Sequence, residues 1–112
     1  MKIETHLTST ECRVYDAPRI RGNHGCDLIP ERLHVSRLTY RKRNPSDPIR
    51  RFTHFTVSGP MIKKNGEPGK RNTGLFGDIE TTIERLREQC PELAERVEQL
   101  AETLSLPEGL DK

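Results

Sequence analysis

The chain has no Trp, and only three Phe and two Tyr among its 112 residues. That scarcity excludes a core built on large rings, so burial has to come from Leu, Ile, Val and those few aromatics. Apolar residues make up 31% of the sequence, which is little for a compact globule. No run of 18 apolar residues occurs, so no membrane-spanning helix is expected. The opening Met1-Lys2-Ile3-Glu4-Thr5-His6 lacks the apolar stretch of a secretion signal, and the expected address is cytoplasmic. Cys12, Cys26 and Cys90 are odd in number and widely spaced. They do not read as a disulfide framework, and they suit a reducing compartment. Glycine-rich phosphate loops, RNA-binding signatures and paired cysteine knuckles are all missing. No cofactor is expected.

What the sequence does have is charge, split in two. From 32 to 71 there are 11 Lys/Arg against 2 Asp/Glu, and from 72 to 112 there are 4 against 10. A formal net charge of +2 therefore hides a basic centre joined to an acidic tail. The length suits one domain, residues 1–112, with strands and basic loops over 2–71, an acidic amphipathic helical region over 78–104 and a flexible tail over 105–112.

Residues 2–15 read as one strand with a bulge or two short ones, ending at Ala17-Pro18. Residues 16–30, with Gly22, Asn23, Gly25 and Pro30, read as an irregular connection. In the next strand, 33–41, Leu33 and Val35 share one face while Leu38 and Tyr40 share the other. That parity switch implies a bulge or a strand buried on both sides. Asn44-Pro45-Ser46-Asp47-Pro48 is a turn, since two close prolines suit neither helix nor sheet interior. A strand over 51–57 follows, with Thr53, Phe55 and Val57 opposite in phase to Phe52, His54 and Thr56, so the pair reads as an antiparallel hairpin. Gly59-Pro60 reads as a bend, and Asn65-Gly66 as a tight turn within a second small hairpin or basic loop.

Asp78 is well placed to cap a helix. From there Ile79, Ile83, Leu86, Cys90, Leu93, Val97, Leu100 and Leu104 recur at alternating spacings of four and three, an unbroken heptad seam. Pro91 sits inside it, so either one helix kinks or two helices meet with Pro91 in the first turn of the second. The seam can lie across the sheet, or Leu93, Val97, Leu100 and Leu104 can pack against a second copy as a homodimer. Glutamates line the outward face, among them Glu88, Glu92, Glu95, Glu98 and Glu102. Like charges at i,i+4 cost a few tenths of a kcal/mol each, so this face is either simply solvated or opposes something basic.

The expected fold is α+β: a small antiparallel sheet of three or four strands, then a long C-terminal helix kinked or broken at Pro91. The leading function is non-enzymatic nucleic-acid binding through the basic β-hairpin, with Arg41, Lys42, Arg43, Arg50 and Arg51 clustered at its end and Arg37 as a further contact. Lys63, Lys64, Lys70 and Arg71 come second. Tyr40, Phe52 and Phe55 are read as core rather than stacking rings. The alternative is an interaction module, an inhibitor or regulator docking on a larger protein through the acidic helix or the basic loop. Cys12, His24, Cys26 and His34 include the residue types of a zinc site but not its spacing. Cys26, or His34 with His54, are candidates for phosphate-directed or thiol chemistry without the specificity of a catalytic motif.

Overall fold

The computed structural model describes residues 4–41, 46, 48 and 50–104, the side chains of 4–6 and 41 excepted. The expected flexible tail, 105–112, and most of the turn that begins at Asn44 lie outside the described residues. Among the described residues the fold is α+β, with an antiparallel sheet of six strands rather than three or four and a C-terminal helix pair broken at Pro91. The strands are β1 (Glu4–Arg13), β2 (Ile20–Arg21), β3 (Asp27–Leu28), β4 (Arg32–Arg41), β5 (Arg50–Ile62) and β6 (Pro68–Asp78); the helices are α1 (Ile79–Gln89) and α2 (Pro91–Thr103).

The strands β4, β5 and β6 form a meander, and β1 pairs with β4 at the edge of the sheet. Ten consecutive pairs, from Glu4 with Arg41 to Arg13 with Arg32, make β1 one continuous strand without the bulge or split expected. The expected irregular connection over 16–30 instead contains β2 and β3, and β3 pairs with the far end of β5 through Leu28 and Met61. Nor does Gly59-Pro60 end a strand. Residue 59 is where the segment between β3 and β4 runs closely alongside β5, the Ile29 N–H donating to the Pro60 carbonyl and the Glu31 N–H to the Ser58 carbonyl: a Cβ there would stand 1.8 Å from the Ile29 carbonyl oxygen, so only glycine fits. The strand absorbs the irregularity as a register shift between Pro60 and Ile62 and continues into the β5–β6 hairpin. At that hairpin's turn Gly66 has φ 87°, and the Asn65 side chain accepts a hydrogen bond from the Glu67 N–H.

Amide side chains complete the backbone pairing where strands are short. The Asn23 side chain donates to the Phe76 carbonyl at 2.8 Å and accepts from the Phe76 N–H at 3.0 Å, as a neighbouring strand would. Gln89, the last residue of α1, does the same for β2, accepting from the Arg21 N–H and donating to its carbonyl.

Asp78 caps α1, its carboxylate accepting from the Glu80 N–H at 2.9 Å. Cys90 leaves helical geometry between the helices, and Pro91 opens α2 where its missing N–H costs no hydrogen bond. The helices lay their seam on one face of the sheet. Ile83, Leu86, Cys90, Leu93, Val97 and Leu104 are buried there with Leu33, Val35, Phe55, Val57 and Leu75, while Ile79 and Leu100 pack against them half-buried. Ile20 and Leu28, from β2 and β3, complete this core. No helix among the described residues is long and apolar enough to cross a membrane.

Candidate functional site

Strand alternation divides the basic residues between two faces of the sheet. On β4 the covered face runs through Leu33, Val35, Arg37 and Thr39 without a bulge. The parity switch in the sequence thus has another cause: Arg37 occupies the core phase. Its guanidinium donates to the carbonyls of Leu104 at 2.6 Å and Ala101 at 3.0 Å, and its Nε to Thr53 Oγ1 at 3.1 Å. A cation is thereby set on the carbonyls that end α2, where the helix dipole is negative. The residue read from sequence as a nucleic-acid contact is committed to holding a helix on the sheet.

Arg50 and Arg51 point to opposite faces. Arg51 lies on the covered side, lining a recess with Asp78, Ile79 and Glu80. Arg50 stands opposite Tyr40 on the open side. Arg41 ends β4, and Lys42 and Arg43 lie outside the described residues. Lys63, Lys64, Lys70 and Arg71 are exposed around the β5–β6 turn, at the other end of β5 from Arg50. At ~3.4 Å per residue the 13-residue strand separates the two groups by about 40 Å, so the basic residues do not form one patch. Lys63 and Lys64 line a cleft with Arg19, Arg21, Cys26 and Asp27, where Asp27 already takes Arg19 at 3.0 Å and Arg21 at 3.4 Å.

The open face carries a constellation that the sequence reading missed. Leu7, Leu38 and Phe52 are successive cross-strand partners on it, with Leu7 69% and Phe52 48% exposed. The Tyr40 and Phe52 rings stack beside them, centroids 5.9 Å apart and planes within 9°. Phe55 alone of the three expected core rings is fully buried. Farther along, Arg13 and Arg32 stand directly opposite each other, both exposed and neither ion-paired among the described residues. Like charges so placed are destabilising unless something anionic sits between them. Tyr15, 75% exposed, lines the same recess together with Glu31. The signal for this face was the shared phase of Leu38, Tyr40, Phe52 and His54.

The acidic residues lie on the helices. Glu88, Glu92, Glu95 and Glu102 are exposed, whereas Glu98 pairs with Arg87, which also holds Glu84 and so ties the two helices together. Leu93, Val97 and Leu104 of the expected partner seam are buried within their own chain, and Leu100 is half-buried.

His34 and His54 share the open face but are not cross-strand partners: His34 opposes Thr56, and His54 opposes Ser36. Cys12 is half-buried on β1, Cys26 lies in the cleft near Lys63, and Cys90 is buried between the helices. No cluster of three or more His, Cys, Asp or Glu among the described residues could hold a metal. No protein-family model matches the sequence, and neither a curated protein nor a solved structure matches it.

Proposed function

We propose that the protein is a non-enzymatic nucleic-acid-binding accessory or regulatory protein that uses the open face of its sheet together with the end of the β4–β5 hairpin. The observation that carries this reading is the pairing of Arg13 with Arg32 on an uncovered face that also bears Arg50 and exposed rings. Phosphates relieve such like-charge contacts, and Lys and Arg supply salt-dependent affinity without reading sequence. Glu88, Glu92, Glu95 and Glu102 sit on the helices, across the sheet from this face, while Glu11 and Glu31 are exposed at its Arg13–Arg32 end.

The test is fluorescence anisotropy with random-sequence duplex DNA, single-stranded DNA and RNA over a salt series, on wild type and on a variant with Arg13, Arg32 and Arg50 changed to Gln. Binding that weakens steeply with salt, and a slope smaller by about 2 for single strands in the variant, supports the reading. Absence of binding even at about 50 mM salt overturns it. It would favour instead a protein partner on the exposed Glu88, Glu92 and Glu95 of the joined helices.

A further inference from the structure

We infer that the nucleic acid taken by the open face is single-stranded, with bases laid against exposed rings at two stations while arginines beside each ring hold the backbone. This rests on the nucleic-acid reading above and names its substrate class. A binder of phosphates alone needs no apolar floor, yet this face keeps Phe52 half in water beside Leu38 and the still more exposed Leu7. In a duplex the faces of the bases are stacked away and unavailable to such a ring. Unpaired bases offer a π-face to any aromatic side chain, whatever their identity.

The first station is Tyr40 and Phe52. Their near-parallel rings form one platform across β4 and β5, and Arg50 lies two residues from Phe52 on the same face, about 7 Å along the strand. The second is Tyr15 beside the Arg13–Arg32 pair. Between them β4 runs from Tyr40 to Arg32, eight residues or about 27 Å. Beyond Leu38, Ser36, His34, His54 and Thr56 floor that interval on β4 and β5, with the exposed Phe76 of β6 directly opposite Thr56. Ring with arginine, a mixed floor with one further ring at its side, then ring with arginine again is the composition of a track for an extended strand. Glu11 and Glu31 are the acidic side chains at its Arg13–Arg32 end. Asp78 and Glu80 line the recess that Phe52 shares with Arg51 at the other end.

The absence of Trp from the chain makes the test direct. Phe52→Trp installs a single indole in the first platform, whose fluorescence is quenched when a base stacks on it. Binding of a labelled oligothymidylate of about 12 nucleotides, a length within the usual single-strand site range, is compared with that of the matching duplex. The variants are Phe52→Trp, Phe52→Ala and Phe52→Leu, each checked for folding by circular dichroism. The expected result is tighter binding of the single strand than of the duplex, with indole quenching. Phe52→Ala and Phe52→Leu should then lose roughly 5- to 100-fold in single-strand affinity with an unchanged salt slope. Equal binding of duplex and single strand, no quenching and full affinity in Phe52→Leu would overturn the stacking inference while leaving the nucleic-acid reading intact. No binding of either probe overturns both. A wild-type dimer in sedimentation that Phe52→Ala dissociates would assign the face to a second copy of the chain and likewise overturn the inference.

Discussion

Phe52 and Phe55 are three residues apart on one strand, and the comparison between them is a comparison between the two sides of the sheet. Phe55 is fully buried under the helices with Val35, Val57 and Leu86; Phe52 is 48% exposed beside Leu7, Leu38 and Tyr40. One side is closed by a helix pair whose outward surface is acidic. The other is left open and carries arginines. Under the proposed function, stability and recognition would fall to different faces of one sheet.

The sharpest way to break this comparison is to truncate both rings. Phe55→Ala should destabilise by about 3–5 kcal/mol in chemical denaturation, since it removes a fully buried ring and leaves a cavity. Phe52→Ala should cost less than about 1 kcal/mol and act on binding instead. Similar losses of stability from the two would contradict the division. Next in size is Gly59→Ala. The Ile29 carbonyl would meet the new methyl, and an expected loss of about 2–3 kcal/mol in the same assay would mark this close approach as structural.

Arg37→Ala sharpens the contrast between arginines. It removes the cation from the last carbonyls of α2, with an expected loss of about 1–2 kcal/mol and no change in nucleic-acid affinity. Arg50→Ala should do the reverse, leaving the melting temperature unchanged while weakening binding. The smallest effect belongs to Glu98→Gln: its pair with Arg87 joins the helices at a half-exposed position, so thermal melting should report a few tenths of a kcal/mol.

Those elements whose causes are local were legible in the sequence. Asp78 as cap, the alternating spacing of Ile79 to Leu104 and Pro91 at a first turn specify the helix pair within a few residues of its observed bounds. The alternation over 52–57 likewise gave the hairpin strand that covers the core. The turn of the β5–β6 hairpin was legible at Asn65-Gly66 as one of two readings, but the length of β6 beyond it was not, because Asn72, Gly74 and Gly77 depress strand propensity; its pairing with β5 and with Asn23 holds it instead. Two-residue strands such as β2 and β3 are too short for any period to show. The contact of Arg37 with α2 was not legible for a related reason, as the carbonyls that it caps lie 64 and 67 residues away. For the candidate site, strand phase already put Leu38 and Tyr40 on one side of their strand and Phe52 on one side of the next. Nothing local said that this side would stay uncovered.

The position of β1 has a kinetic consequence. From β4 onward each element packs against the next one along the chain, whereas β1 reaches β4 only after the segment from 14 to 31 has been closed into a loop. Contacts of that kind form late, because the closure entropy precedes any return from pairing. The half-buried Thr8, Thr10 and Cys12 give β1 little hold on the core once it has docked. Amide hydrogen exchange should therefore find β1 opening at lower free energy than β4 and β5. Each such opening removes Leu7 and Arg13 from the open face together, while Phe52 and Arg50 stay in place.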